Sequence, residues 1–155
     1  MKQNFDLPPE GGEELTALLE RSGVDFTQEG ETFRFRFASG GCVWQTVCCC
    51  RESRVLVYGI HPTPVTDPVG SLALCGEINS RVVEGSLFLA EERFVFRTGV
   101  RLTERFEAQA RIAAALKTNH NIGFRCLYIG NFPLTFISPV CSNYCFDHNS
   151  NSSCV

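Results

Sequence analysis

Three residues near the end of the sequence have the types and the spacing of a metal site. Cys141, Cys145 and His148 place two thiols and one imidazole within eight residues, and thiolate sulfur and imidazole nitrogen are preferred zinc ligands. Structural zinc sites usually bring paired Cys-x2-Cys knuckles, and the neighbouring cysteines and histidines form no such pair. The incomplete set favours free thiols, so no cofactor is expected, and a small zinc- or thiol-dependent activity is kept as an alternative.

A second group of thiols is consecutive. Cys48, Cys49 and Cys50 lie in a β-prone run, where successive side chains point to opposite faces, so the three cannot form one site. A nucleophilic thiol would also need a neighbouring base and a depressed pKa, and His61 is the candidate base for Cys48 or Cys50. Because a free cysteine packs like a small apolar residue, a core role is the preferred interpretation.

Five arginines alternate with apolar residues along predicted strands. They are Arg34, Arg36, Arg93, Arg97 and Arg101, and each strand carries Phe or Val on its other side. If these strands are neighbours, they build an arginine-rich sheet face, which suits bidentate recognition of an acidic or phosphorylated partner. The alternative is a solvated face on which nearby glutamates satisfy the arginines.

No motif for catalysis or nucleotide binding is present. The chain lacks Gly-x-Gly-x-x-Gly, a Walker-type Gly-Lys-Ser/Thr, Gly-x-Ser-x-Gly and His-Glu-x-x-His. The adjacent carboxylates at 13–14 and 91–92 fall at a helix start and a hairpin tip, where they point into water. We therefore expect no catalytic residues and a protein that is not an enzyme.

Hydrophobic periodicity and turn residues predict the elements that position these groups. Helices are predicted over 13–21, 68–82 and 104–117, and strands over 32–37, 43–50, 55–60, 86–90 and 93–100. Asp67 is the expected N-cap of the second helix, with Pro68 at its first position. Glu91-Glu92 is long enough only for a tight hairpin connection. The order α-β-β-β-α-β-β-α predicts an α+β fold.

Bulk composition limits the class of protein. The chain has 155 residues, of which 44% are hydrophobic, and it contains 13 Phe, which is typical of a globular domain. A net charge of -3 argues against a nucleic-acid or anionic-membrane binder, because those functions need a concentrated positive field. With no signal sequence, no run of eighteen apolar residues and an odd number of cysteines, nine, we expect a cytoplasmic protein with free thiols.

The composition changes after Lys117. From 118 to 155, Arg125 and Asp147 are the only Asp, Glu, Lys or Arg residues, so we place a boundary there, with one domain over 1–117 and an atypical segment over 118–155. The apolar stretch 126–140 is too short to span a bilayer as a helix. It could add an edge strand or form the interface of a structural homo-oligomer.

The segment 72–97 resembles the YbjN family of bacterial proteins. Ile78-Asn79 matches the apolar-Asn pair that ends a helix in that family, Gly85 leads the following hairpin, and Phe94 to Arg97 match its returning strand. The resemblance covers about 13–117 and implies the type III secretion chaperone-like fold, an antiparallel sheet with helices packed on one face. It also implies a small acidic cytoplasmic protein, commonly dimeric in chaperone relatives, with a role in binding or regulation.

These observations favour a non-catalytic protein-binding module, chaperone-like or regulatory. We expect a groove or sheet edge to receive another protein or a second copy of the chain, with Phe and Arg residues as anchors. The candidate contacts are Trp44, Arg34, Arg36, Arg93 and Arg97.

Overall fold

The computed structural model describes residues 7–39 and 42–129. Three α-helices, one 3-10 turn and six strands are formed within these ranges. In chain order they are α1 (Gly11–Arg21), β1 (Phe26–Glu29), β2 (Thr32–Ser39), β3 (Cys42–Arg51), β4 (Arg54–Ile60), α2 (Pro68–Asn79), β5 (Ser86–Ala90), β6 (Arg93–Arg101), the 3-10 turn (Arg105–Glu107) and α3 (Ala108–Ile129). Of the helices described here, none is both long and apolar enough to cross a membrane.

The six strands form one antiparallel sheet in the spatial order β1-β2-β3-β4-β6-β5. The first four strands are a meander. Since α2 and β5 are inserted before β6, the chain returns to pair β6 with β4 and leaves β5 at the edge. The tight hairpin predicted at Glu91-Glu92 is confirmed, because Ala90 pairs with Arg93. Both turn residues have positive φ, 49° and 60°, as in a type I′ turn.

The larger core layer lies between the sheet and the helices α1 and α3. Alternation along β2 points Phe33 and Phe35 to this side. Pairing places Cys48 beside Phe33 and Val57 beside Cys48, in one row across the sheet. The helices cover these residues with an apolar stripe: Leu15, Leu18 and Leu19 from α1, and Ala108, Ile112 and Leu116 from α3.

A smaller core layer lies beneath α2 on the same side of the sheet. Trp44 on β3, Leu87 on β5 and Phe96 on β6 pack there against the α2 residues Leu74, Cys75 and Ile78. Asp67 caps this helix as predicted, since its side chain accepts a 3.0 Å hydrogen bond from the backbone N–H of Gly70. All three helices therefore cover one face of the sheet.

The α+β class and the placement of helices on one face are confirmed. Three local predictions are wrong. The short edge strand β1 was not expected, α2 ends at Asn79 rather than at 82, and α3 runs through Lys117 to Ile129. The third helix continues because Asn119 and His120 face the sheet and bond to it, so the change in composition at 117 does not coincide with a helix end.

Candidate functional site

The side of the sheet that faces away from the helices is the candidate site, and we call it the open face. Strand alternation and the pairing register assign its residues. On the four central strands these are Thr32, Arg34, Arg36 and Ala38 of β2; Val43, Gln45, Val47, Cys49 and Arg51 of β3; Arg54, Leu56, Tyr58 and Ile60 of β4; and Arg93, Val95, Arg97, Gly99 and Arg101 of β6. No described helix packs on this side.

An uncharged band runs along the middle of the open face. We define this central band by Val47 and Cys49 of β3 and Leu56, Tyr58 and Ile60 of β4. Val47 pairs with Tyr58 and Cys49 with Leu56, and Ile60 follows Tyr58 on the same face of β4. Four of the five are partly exposed, and Val47 is 9% exposed. Because none of the described helices covers this face, Val47 is shielded by side chains of the adjacent strands. Long arginine side chains can lay their apolar stems over such a surface while the guanidinium remains in water.

Arginines flank the central band on both sides. Arg34 and Arg36 lie on β2, and Arg93, Arg97 and Arg101 lie on β6. In one row across the sheet, Arg34 pairs with Val47, Val47 with Tyr58, and Tyr58 with Arg97. The five arginines therefore share one face of the sheet, although the two arginine strands are not neighbours, because β3 and β4 lie between them.

Two more arginines close one end of the central band. Arg51 pairs with Arg54, and Arg54 pairs with Arg101, so three guanidinium groups follow one another across β3, β4 and β6. With these the open face carries seven arginines, half of the 14 Lys and Arg residues of the chain. Glu29 on β1 is the only carboxylate that the register places on this face among the described strands.

Among the residues that the structure describes, carboxylates leave most of these arginines without an ion pair. Among the described residues, Arg51 alone of the seven forms an ion pair, with Glu31 at 3.8 Å, and both side chains are largely exposed. Arg93 instead donates to the backbone carbonyls of His61 and Pro62. The alternative of glutamates that satisfy the face is not what the described contacts show. Since the net charge is -3, the excess of negative charge lies elsewhere on the molecule.

Part of that negative charge lines a groove on the helix side. Between α1, the β1-β2 turn and the β3-β4 turn lies an open cavity of about 450 Å³. Its wall includes the carboxylates Glu10, Glu13, Glu20, Glu31 and Glu52. The molecule is therefore electrostatically two-sided, with arginines on the open face and glutamates around α1.

Trp44 does not belong to the open face. It lies on β3 opposite Phe37, with which it stacks at 5.9 Å between ring centroids, and it is 2% exposed beneath the helices. Its expected role as a surface contact is wrong, because odd-numbered residues of β2 and even-numbered residues of β3 face the core. Trp44 packs against the sheet from the side opposite the open face.

The consecutive thiols divide between the two faces as alternation requires. Cys48 and Cys50 are buried on the helix side, and Cys49 is partly exposed on the open face. Burial raises the pKa of the Cys48 thiol far above its usual range and that of Cys50 to about 12. Both thiols are protonated at neutral pH, so neither is a ready nucleophile. The core role predicted for these residues is confirmed for Cys48 and Cys50.

A histidine that sequence reasoning did not assign to the core lies at the junction of the two core layers. The ring of His120 on α3 stacks on Phe37 at 3.6 Å between centroids, and its Nε2 lies 3.1 Å from Oγ1 of Thr46. Burial lowers the pKa of His120 to about 4, so the imidazole is neutral at pH 7. The sequence signal for this position was its spacing. His120 lies eight residues after Ile112, so the two residues share one face if the helix continues past Lys117.

The metal site considered from the sequence does not lie in the part of the chain that the structure describes. Cys141, Cys145 and His148 lie outside the described residues. Within the described ranges, no group of three or more Cys, His, Asp or Glu side chains is arranged to hold a metal ion. The rings of His61 and Trp44 form a T-shaped contact at 4.9 Å between centroids, and this places His61 with the aromatic core around His120.

Comparison with known proteins identifies the fold. No protein-family model matches the sequence, and no curated protein matches it. Among solved structures, the crystal structure of YbjN from E. coli, a proposed transcription regulator, aligns with a TM-score of 0.59 over 77% of this chain and 90% of that chain, at 10% sequence identity. The chain has a YbjN-like fold. The YbjN-like fold agrees with the resemblance found in residues 72–97. At 10% sequence identity, the structural similarity establishes the architecture alone.

Proposed function

We propose that the chain is a non-catalytic, regulatory or chaperone-like module that binds another protein in the cytoplasm through its open face. The observation that carries this proposal is the row Arg34, Val47, Tyr58, Arg97, in which an uncharged pair lies between two arginines without carboxylate partners among the described residues. Arginine and tyrosine are enriched where interfaces concentrate their binding energy. The description of YbjN as a proposed transcription regulator supports a regulatory role.

Protein is favoured over nucleic acid as the partner. Sheet surfaces that bind single strands stack the bases on exposed aromatic rings, and the central band contains one aromatic residue, Tyr58, among aliphatic and thiol side chains. Carboxylates of a protein partner would meet the guanidinium groups in bidentate pairs. The apolar residues of the same partner would cover the central band.

Site-specific photo-crosslinking in cells of the source organism tests the proposal. We would replace Tyr58 with p-benzoylphenylalanine, which preserves an aromatic ring in the central band. The matched control is Phe106, an aromatic residue that is 82% exposed in the 3-10 turn. We expect an adduct at position 58 that resists nuclease and is degraded by protease. The same adduct should be absent at position 106, and it should be lost at 58 when Arg34 and Arg97 are both changed to Glu.

Other outcomes would contradict the proposal. Equal adducts at 58 and 106 would mean that the open face is not a specific surface. No adduct at 58 would mean that it is not a binding surface. A nuclease-sensitive adduct at 58 would replace protein with nucleic acid as the partner.

A further inference from the structure

We propose that the open face binds an acidic amphipathic helix, which lies along β3 and β4 over the central band. This inference rests on the proposed function of the open face and specifies the partner's shape and charge. It follows from three properties of the surface: it offers side chains rather than backbone groups, its arginine rows have the spacing of a helix diameter, and its charge is almost all of one sign.

The first argument concerns backbone hydrogen bonds. The N–H and C=O groups of β3 and β4 are paired with β2, with each other and with β6. An extended peptide laid on the open face would therefore find no backbone partners beneath it and would leave its own groups unpaired as it lost water. A helix satisfies its own backbone groups internally. Only side chains then need to match the surface.

The second argument is the width between the arginine rows. Arg34 on β2 and Arg97 on β6 are separated by three strand spacings, about 14 Å at about 4.8 Å each. An α-helix with its side chains is about 10–12 Å across. A helix centred over Val47 and Tyr58 therefore has an arginine at each flank, within reach of acidic side chains on both sides of its apolar stripe.

The third argument is the spacing along the strands. Arg34 and Arg36 are two residues apart, about 6.8 Å in an antiparallel strand, and carboxylates four residues apart on a helix are separated by about 6 Å along its axis. Arg93 and Arg101 mark a row of about 27 Å by the same strand rise. A helix of about 18 residues has that length.

Charge identifies the helix as acidic and makes a symmetric pair of copies unfavourable. If two open faces met about a two-fold axis, the seven arginines of each would face the other copy, and Glu29 is the only carboxylate of the described strands that would offset them. Like charges brought together at an interface are strongly disfavoured. A partner helix with glutamate or aspartate on both flanks removes this repulsion and covers the side of the sheet on which none of the described helices packs.

Two labelled peptides of about 18 residues, a length at which helix formation becomes practical, serve as probes. The first has leucines on one helical face and glutamates on both flanks. The second has the same charges and leucines but two central prolines, which prevent a continuous helix. Fluorescence anisotropy would measure both against the full chain at low and moderate salt. We expect the helical peptide to bind at least about tenfold more tightly, a gain that reflects its pre-organised shape.

Charge-reversal variants locate the site. We expect the pair Arg34→Glu and Arg97→Glu to weaken binding of the helical peptide by about tenfold or more, because it reverses both flanks. The matched control is the pair Arg21→Glu and Arg105→Glu, which makes the same change in net charge at exposed positions outside the open face. The control pair should change affinity by less than about threefold, through the long-range field alone.

The alternative outcomes separate this inference from the proposed function. Equal affinity for the helical and the proline-interrupted peptides would show that the partner need not be a helix. The open face would then remain a surface that binds acidic partners. Binding of neither peptide by a chain that still crosslinks a protein at 58 would overturn the acidic helix and leave the proposed function standing. If both pairs of charge reversals weakened binding equally, the attraction would be non-specific and the site would be wrong.

Discussion

The side-chain amide of Asn79 forms two hydrogen bonds with the backbone of Leu87. Its Nδ2 donates to the Leu87 carbonyl oxygen at 2.8 Å, and its Oδ1 accepts from the Leu87 N–H at 2.7 Å. Asn79 ends α2, and Leu87 lies on the edge strand β5. The amide occupies a position that a further strand would use, so it joins the helix to the sheet and blocks part of an exposed edge.

Loss of this pair of bonds should destabilise the fold. Asn79→Ala leaves a backbone donor and acceptor of β5 without their partner, and we expect the free energy of unfolding to fall by about 1–3 kcal/mol. Asn121→Ala, at an exposed position of α3, is the matched control and should change stability by less than about 0.5 kcal/mol. Urea unfolding measures both. Equal stability of the two variants would show that the Asn79 bonds contribute nothing.

Gly85 is required by both conformation and space. Its φ is +87°, and a Cβ there would lie 2.8 Å from the Phe96 ring and 2.7 Å from the Arg97 carbonyl oxygen. Gly85→Ala should lower stability by at least about 1–3 kcal/mol. Gly76→Ala, inside α2 with nothing within 4 Å of the new Cβ, should instead raise it by about 0.5–1 kcal/mol. Thermal unfolding of the two variants gives shifts of opposite sign if this reasoning holds.

Elements with a strong pattern were predictable from the sequence, and elements decided by tertiary contacts were not. The alternation of Phe33, Phe35 and Phe37 identifies β2 and its core face without any structure. The four-residue strand β1 has no such pattern, because only Phe26 of its residues is even partly buried. The extension of α3 depends on Asn119, which donates to the carbonyls of Val57 and Phe96, and such contacts cannot be read from composition.

The candidate site was predicted in part. Alternation places Arg34, Arg36, Arg93 and Arg97 on the polar sides of their strands. The order and the register of the strands then put these polar sides on the same face of the sheet. The sequence does not reveal that β6 pairs with β4 across the excursion through α2 and β5. Trp44 was misassigned because a large aromatic residue has the same sequence signal in a core as at an interface.

The free energy of unfolding should decrease as the solution is acidified, over a pH range that the burial of His120 sets. Its pKa in the folded chain is about 4, below the usual 6.5, because burial disfavours the charged ring. Between pH 6.5 and 4 the unfolded chain binds a proton that the folded chain does not, so stability decreases as the pH falls and the loss levels off below 4. At 1.36 kcal/mol per pKa unit, the full loss is about 3 kcal/mol.

The comparison of pH 7 with pH 4.5 isolates this effect. Carboxylates contribute to acid destabilisation in every variant, so the informative quantity is the difference between wild type and His120→Gln, measured by urea unfolding at both pH values. We expect the loss on acidification to be smaller in the variant by about 2 kcal/mol, most of the full effect. An identical loss in both proteins would mean that His120 does not titrate as its burial implies.

The arginine reversals used to locate the site should not disturb the fold. Arg34 and Arg97 are exposed, and neither has a carboxylate within 4.0 Å among the described residues. Changing both to Glu removes like-charge repulsion and should shift the free energy of unfolding by less than about 1 kcal/mol. Urea unfolding is the measurement. A larger loss of stability would show that these side chains support the sheet. The binding measurements would then be repeated with Arg34→Glu and Arg97→Glu as single variants.

Cys49 reports on whether the central band is covered. Cys48 and Cys50 are buried on the helix side, with pKa values raised by burial, whereas Cys49 is partly exposed between Thr32 and Leu56 on the open face. Brief labelling of the native chain with iodoacetamide, read by mass spectrometry, should therefore modify Cys49 before its two neighbours. A saturating amount of the helical peptide should slow labelling of Cys49 by about tenfold, because a helix over β3 and β4 excludes the reagent. Labelling that is unchanged by bound peptide would place the peptide away from the central band.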